Sequence, residues 1–505
     1  GGADGTSMLI SNTITKHATA GFFGRINYDY KGIYLLEVNG RYDGSSSFPA
    51  NDQWAFFPSA SVGYRFSEEA YFEKAKQYVS NAKFRASYGH IGNEAIGDYM
   101  FLEAITKKGN NNSTGYSYWV NGTGTLISMM NTPSLVSSTL TWERIATTDI
   151  GLDLGFLNNR LNVTFDWFQR DTKDMLAPGM TLPATLGASA PYANSGSLRT
   201  RGWELGISWN HRFGDVDVFA SANIYDGKTK VTEYNNPNKL INQFYSGMEY
   251  GEIWGFETDR YFEESDFKGK NADGSWIYAD GVADQTGLEQ GTFVYGPGDI
   301  KFKDLDGNGV INGGDPTMKD EKGNLIPVGT VRNHGDLKKI GNSTPRYEYS
   351  FRVGAAWKGI DVDLFFQGVG KKDVYYSGAG ARALCGNYTI YKYQFDYWTP
   401  ENPDAKFPRL LEDPNATNPN NMISSFWVKS GAYCRLKNIV LGYTLPSSIT
   451  KTAHISKLRV YASAQNLFTI KDNFYEGFDP ENSVSSGASL YPLNKTFVFG
   501  LNVEF

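Results

Sequence analysis

The segment Trp203-Glu-Leu-Gly-Ile-Ser-Trp-Asn210 decides the fold class of this chain. Its odd-numbered positions carry Trp, Leu, Ile and Trp, whereas its even-numbered positions carry Glu, Gly, Ser and Asn. Alternate residues of a β-strand lie on opposite faces, so the segment predicts a strand with one apolar and one polar face. The same alternation recurs at 161–167, 347–357 and 497–505. The pattern therefore predicts an all-β protein.

The aromatic residues are concentrated toward the ends of these apolar faces. Trp203 and Trp209 bracket Leu205 and Ile207 in the segment quoted above. Aromatic rings prefer the water–lipid interface, so rings that flank an apolar band are typical of a transmembrane antiparallel β-barrel. A soluble sandwich would show the same alternation with its apolar face in the core. Long strands rich in Trp and Tyr favour the barrel.

The connections between the strands alternate between short and long. The short turns contain Gly or Asn, which accept positive φ, at 31–32, 158–159, 213–215 and 358–359. The long connections lie near 90–141, 172–199, 229–344, 370–428 and 469–493. Short turns on one side and long extracellular loops on the other are the arrangement of outer-membrane barrels. A short helix is predicted at 67–81, on the side of the short turns.

The strand count predicts that the sheet is part of a larger barrel. Thirteen strands are predicted, at 21–31, 32–43, 55–66, 82–90, 142–156, 160–171, 200–212, 216–228, 345–357, 360–369, 429–445, 457–468 and 494–505. Bacterial outer-membrane barrels have an even number of strands. Residues 21–505 are therefore assigned to the C-terminal part of a barrel, and residues 1–20 to a loop or a strand remnant of its upstream part.

The composition excludes several classes of protein. The 505 residues include 32 Tyr, 32 Phe and 11 Trp, too many aromatic residues for a disordered chain. The sequence contains no run of about 18 apolar residues, so no transmembrane helix is predicted. A net charge of −6 argues against nucleic-acid binding. Cys385 and Cys434 can form at most one disulfide. The five histidines show no spacing of metal ligands or of a catalytic triad, so no enzyme is predicted.

One motif predicts a metal site. The segment Asp304-Leu-Asp-Gly-Asn-Gly-Val-Ile-Asn-Gly-Gly-Asp315 fits a calcium loop with oxygen ligands at positions 1, 3, 5, 7, 9 and 12. The predicted ligands of this structural calcium are Asp304, Asp306, Asn308, the carbonyl of Val310, Asn312 and Asp315. Asp315 replaces the usual Glu, and its shorter reach weakens the site. A hairpin rich in Asx turns, with no metal, is the alternative.

Several segments in a fixed order carry a family resemblance. One of them is Arg459-Val-Tyr-Ala-Ser-Ala-Gln-Asn-Leu-Phe-Thr469. The others are Phe22–Gly32, Arg41–Phe48, Phe57–Glu69, Lys83–Asn93, Asn158–Asp166, Thr172–Leu176, Cys434–Pro446 and the terminal Phe505. In this order they resemble the SusC/RagA class of TonB-dependent outer-membrane transporters of Bacteroidetes.

The resemblance implies a larger assembly in the bacterial outer membrane. Members of that class have a barrel of about 22 strands, an N-terminal plug and a TonB box. This chain would supply the last thirteen strands, and no plug or TonB box is found in its residues. The implied partners are a SusD-like lipoprotein lid, TonB through an upstream region, and surrounding lipid or lipopolysaccharide. A dimer of transporter–lid pairs is also implied.

The candidate contacts with substrate or lid are the loop tryptophans Trp119, Trp254, Trp276, Trp398 and Trp427. Their rings suit sugar stacking, and they equally suit contact with the lid, because Trp and Tyr dominate protein interfaces; packing within the loops is a further alternative. The SusC resemblance implies TonB-dependent nutrient uptake of an oligosaccharide. Import of oligopeptides, as in the RagA branch, is the first alternative. A soluble β-rich glycan-binding protein or adhesin is the second.

Overall fold

The computed structural model describes residues 15–103, 135–137, 140–178, 185, 190–378, 381–385, 389–412, 418–472, 474, 478–482 and 493–505. Within them, thirteen antiparallel strands follow one another in a single sheet in chain order. They are β1 (Thr19–Tyr30), β2 (Tyr34–Ser45), β3 (Trp54–Tyr64), β4 (Val79–Asn93), β5 (Glu143–Phe156), β6 (Leu161–Pro178), β7 (Tyr192–Phe213), β8 (Val216–Glu233), β9 (Arg346–Trp357), β10 (Ile360–Lys371), β11 (Tyr433–Thr444), β12 (Lys457–Gln465) and β13 (Thr496–Glu504). The all-β class and the thirteen strands are confirmed. The sheet is not closed among the described residues, since β1 and β13 are its two edges.

The prediction of a long loop at 172–199 is wrong in extent. Strand β6 continues to Pro178 and β7 begins at Tyr192, with pairs such as Asp171–Arg199 joining them. The ladder shifts its register near Met175. Alternation of apolar and polar residues ends where a strand leaves the apolar band, although its backbone hydrogen bonds continue. Hydrophobic periodicity therefore underestimates the length of such strands.

The short turns have the predicted backbone. Lys31 and Gly32 have φ values of 57° and 66°, and Lys358 and Gly359 have 48° and 91°. The helix predicted at 67–81 is instead a pair of 3₁₀ turns, Phe66–Glu68 and Ala70–Ala75. One α-helix, Ser447–Thr450, is followed by the 3₁₀ turn Lys451–Ala453 between β11 and β12. No helix among the described residues is both long enough and apolar enough to cross a membrane.

The two faces of the sheet differ in chemistry. Phe165 and Ile207 lie on one face and are 43 % and 39 % exposed. On the other face, Arg85 donates to Asp153 at 2.8 Å and lies 2.8 Å from Asp166. Apolar side chains left exposed on one face and ion pairs on the other fit a lipid-facing exterior and a polar lumen.

A separate hydrophobic core lies in the long loops. The two loops 234–345 and 372–432, hereafter the loop cap, contain small strands at Glu252–Phe256, Thr258–Tyr261, Phe267–Lys270, Trp276–Tyr278, Ile300–Phe302, Leu337–Asn342, Asp373–Tyr375 and Val428–Ser430. Their 3₁₀ turns are Glu264–Asp266, Thr286–Leu288, Lys392–Phe395 and Pro419–Asn421. Residues of both loops form one buried cluster: Phe256, Ile300, Phe302, Ile311, Val374, Tyr376, Ala381, Phe407 and Trp427. The two loops therefore fold against each other.

The loop between β12 and β13 also pairs with the barrel. Its strand Thr469–Lys471 extends the ladder of β11, and its 3₁₀ turn spans Pro480–Asn482. Cys434 of β11 is half-buried and Cys385 of the loop cap is buried, and the two do not form a disulfide with each other.

Candidate functional site

The loop cap contains a cavity of about 1050 Å³. Two hydrogen-bonded strands, Glu252–Phe256 and Leu337–Asn342, contribute one part of its wall. The strand Asp373–Tyr375 contributes another part. Aliphatic side chains complete the lining, among them Leu240, Ile241, Ile253, Val328, Val374 and Ile423. The cavity combines aromatic, aliphatic and charged groups, as small-molecule sites commonly do.

Glu252 organises the polar side of this cavity. Its carboxylate is 5 % exposed and accepts hydrogen bonds from Tyr245 Oη at 2.7 Å, Lys339 Nζ at 2.7 Å and Trp254 Nε1 at 3.3 Å. Burial alone would raise the pKa of Glu252, but the hydrogen bonds from Lys339 and Tyr245 outweigh it and lower that pKa. Glu252 is therefore ionised, and it holds the Trp254 indole in place at the cavity wall.

A second pair of charges, Asp373 and Lys372, lines the cavity next to these two strands. Asp373 accepts a hydrogen bond from the backbone N–H of Asn342 at 2.8 Å, which joins the two walls. Burial lowers the pKa of the neighbouring Lys372 ammonium. The lining thus offers carboxylate acceptors and one ammonium donor beside an indole ring, which suits a ligand with many hydroxyl or amide groups.

The predicted contact tryptophans have different surroundings. Trp254 lines the cavity. Trp276 is half-buried against Phe267, and its ring lies 4.3 Å from Lys270 Nζ. Trp398 is half-buried against Gly298. Trp119 lies outside the described residues.

Trp427 requires a correction. It is 2 % exposed and donates its indole N–H to the carbonyl of Asn420 at 2.6 Å. It packs in the central cluster of the loop cap. Trp427 is therefore a core residue of the cap, and contact with cargo or lid does not fit its burial. A single Trp in a polar loop gives no signal that separates these roles, because the packing partners come from distant segments.

The acidic motif is folded into a compact turn. Carboxylate oxygens of Asp304, Asp306 and Asp336 lie within 4.8 Å of one another. Asp304 accepts hydrogen bonds from the backbone N–H groups of Gly307 and Gly309, at 2.7 and 2.8 Å. Each carboxylate oxygen has two lone pairs, so these bonds leave capacity for a cation. An oxygen-only donor set is the kind that calcium prefers.

The structure groups these residues differently from the spacing rule. Asp336 is fully buried and accepts from the N–H of Asn312 at 2.9 Å, so it lies beside the loop. Asp315 instead accepts from the backbone and hydroxyl of Thr317, and these bonds lower its pKa. Asn308 accepts from the N–H of Val310. Asp336 lies beyond the twelve-residue motif 304–315, so a rule on the spacing of ligands within the motif cannot include it.

Known proteins share this architecture. The chain matches the family described as TonB dependent receptor-like, beta-barrel over residues 1–287, more than half of its length. It is 29 % identical to a TonB-dependent receptor of Formosa agariphila, over 100 % of this chain and 47 % of that protein. It is 26 % identical to the TonB-dependent receptor SusC of Bacteroides thetaiotaomicron, over 97 % of this chain and 44 % of that protein. The chain thus spans about half the length of the curated relatives it matches.

A solved structure agrees with this result. The RagAB peptide transporter superimposes with a TM-score of 0.70 at 24 % identity, over 97 % of this chain and 48 % of that chain. The sheet, its lipid-facing exterior and the long loops define an outer-membrane β-barrel. The chain belongs to the TonB dependent receptor-like β-barrel family, and the predicted SusC/RagA resemblance and outer-membrane location are confirmed. This family comprises receptors and transporters rather than enzymes.

Proposed function

We propose that the complete protein is a TonB-dependent importer of oligosaccharides in the outer membrane. The family and fold support an importer. The observation that carries the cargo class is the cavity of the loop cap, whose lining includes the Trp254 indole and the carboxylates of Glu252 and Asp373. An aromatic face packs on the C–H face of a sugar ring, while carboxylates accept hydrogen bonds from its hydroxyl groups.

The partners follow from the same proposal. A SusD-like lipoprotein would cover the loop cap, and TonB would act through an upstream region of the protein. Transporter–lid pairs would associate as dimers. The cap presents exposed apolar side chains that suit such a lid, among them Phe395 at 62 % and Leu325 at 63 % exposure.

Replacement of Trp254 by Ala tests the cargo site. We expect the affinity of the complete transporter–lid complex for its oligosaccharide to fall about tenfold, a loss of about 1.4 kcal/mol of binding free energy. Calorimetry with a panel of sugars and peptides measures this. Trp276→Ala is the matched control, because Trp276 does not line the cavity. Equal affinities for Trp254→Ala and the unchanged protein would contradict the site.

The same panel separates the alternatives. Peptide binding without sugar binding would replace the oligosaccharide proposal by peptide import. The RagAB structure carries the name of a peptide transporter, but at its level of identity it informs the fold alone. The family and the outer-membrane location rule out the soluble glycan-binding protein or adhesin that the sequence left as a second alternative.

We propose further that the turn at Asp304 binds a structural calcium ion. The support is the convergence of Asp304, Asp306 and Asp336. The carbonyl of Val310 and the side chains of Asn308, Asn312 and Asp315 remain the other ligands proposed from the sequence. The ion would stabilise the longest loop by joining two parts of it, since Asp336 lies 30 residues after Asp306 in the chain.

Substitution of Asp304 and Asp306 by Asn tests this second proposal. We expect the calcium content of the purified protein to fall by about one equivalent, because two charged ligands are lost. Inductively coupled plasma analysis measures the metal. Asp320→Asn is the control, since Asp320 makes a similar Asx turn with Lys322 and Asn324 outside the cluster. An unchanged calcium content in the double variant would contradict the site.

A further inference from the structure

A groove of about 510 Å³ lies on the lipid-facing side of the sheet, across β6, β7 and β8. Its apolar boundary is the cross-strand pair Trp167–Trp203. Trp167 is on the same face as the exposed Phe165, two residues away along β6. The groove therefore opens toward the membrane and not into the lumen, at the level where interfacial tryptophans meet the lipid headgroups.

Beyond this tryptophan pair, the same face becomes basic. The register pairs Gln169 with Arg201 and then Arg201 with Lys228. One step further toward the long loops, Arg199 pairs with Lys230. Alternate residues share a face, so these cations continue the row of Trp203 and Leu205. The basic residues that line the groove are Arg199, Arg201, Lys228, Lys230 and Arg346.

Two of these cations are already neutralised. Arg346 forms a two-point ion pair with the buried Asp226. Arg199 donates to Asp171 at 2.5 Å. These pairs hold their strands together and leave little positive charge for a ligand.

The other three cations are exposed and give the groove a net positive charge. Arg201 donates to the neutral amide oxygen of Gln169 at 2.7 Å. Lys228 Nζ lies 4.0 Å from Glu249, the nearest acidic partner that it has among the described residues. Arg201, Lys228 and Lys230 are all solvent-exposed. One carboxylate therefore faces three cations that extend from a membrane-facing surface.

We propose that this groove binds a phosphorylated lipid headgroup of the outer leaflet, with Arg201, Lys228 and Lys230 as the phosphate ligands. Arg presents a planar fork that matches phosphate oxygens, and Lys supplies point charges around it. Trp167 and Trp203 contact the adjacent acyl chains. Basic clusters directly beside the apolar zone of a membrane protein attract anionic headgroups. This inference depends on the outer-membrane location and not on the cargo, so it can fail while the import proposal stands.

The test uses the complete protein in detergent and native mass spectrometry with added lipid A. Gln replaces Arg201, Lys228 and Lys230 together. The control variant replaces Lys31, Arg212 and Lys358 by Gln, which removes the same charge near the short turns. We expect retained lipid A to fall at least about tenfold in the first variant, a loss of roughly 1.4 kcal/mol, and to stay unchanged in the control. Binding should also weaken with added salt.

Two further arms identify the ligand. The first arm uses lipid A without its phosphates. We expect the unchanged protein and the first variant to bind this dephosphorylated lipid equally weakly. Inorganic phosphate at equal concentration should not displace lipid A. Equal retention by both variants would overturn the site, and so would equal binding of the dephosphorylated lipid. Displacement by inorganic phosphate at equal concentration would overturn the assignment to a lipid. Equal circular dichroism and melting of both variants shows that folding does not cause the difference.

Discussion

Replacement of Asp299 by Ala is expected to destabilise the loop cap by about 3 kcal/mol. Asp299 is fully buried, and its carboxylate accepts four hydrogen bonds. Arg409 donates two of them, from Nε at 2.7 Å and from Nη2 at 2.6 Å. Asn420 donates the third at 2.7 Å, and the backbone N–H of Gly296 donates the fourth at 2.8 Å. The substitution removes the acceptor of all four bonds and leaves the partly buried Arg409 guanidinium, which also donates to the Val294 carbonyl at 2.8 Å, without its counter-charge.

This prediction is measured by native-state hydrogen exchange of the amides near residue 299. A loss of about 3 kcal/mol corresponds to exchange faster by about two orders of magnitude, if opening is the limiting equilibrium. Asp280→Ala is the control, because Asp280 is 95 % exposed and pairs with Lys268 on the surface. Such surface pairs contribute at most about 1 kcal/mol. Similar exchange in both variants would show that Asp299 does not hold the cap together.

The sheet was predictable because its signals are local. Alternation at 203–210 and positive-φ residues at Lys31–Gly32 act within a few residues, and each predicted strand overlaps an observed one. The strand ends were less predictable. Residues 172–178 and 192–199 leave the apolar band, so their pairing depends on backbone hydrogen bonds that carry no side-chain period.

The loop cap could not be predicted because its contacts join distant segments. Trp427 and Phe256 enter one cluster although 171 residues separate them in the sequence. The acidic motif was predictable in one part and not in another. Its turn follows from the spacing of Asp and Gly from Asp304 onward, but Asp336 reaches it only through tertiary folding. The cation row at Arg201 was likewise hidden, since it appears only when three strands are placed in register.

Arg435 holds the loop between β12 and β13 against the barrel, and its loss is the second large effect. Its side chain is only 2 % exposed, and it lies 2.5 Å from Asp479 and 3.1 Å from Glu481. Its Nε also donates to Thr469 at 2.8 Å. Arg435→Met removes the one cation that contacts Thr469, Asp479 and Glu481 together, and the two carboxylates then repel each other in a partly buried site. We expect a local loss of about 3 kcal/mol.

Hydrogen exchange and limited proteolysis at 478–482 measure this loss. Arg435→Lys should recover only part of it, because an ammonium cannot reproduce the planar fork that reaches both carboxylates. Lys437→Met is the matched control. It removes a 2.7 Å bond to Glu481 from a side chain that is 22 % exposed, and should cost no more than about 1 kcal/mol. If Lys437→Met opened the loop as much as Arg435→Met, total positive charge, and not the buried guanidinium, would hold this loop on the barrel.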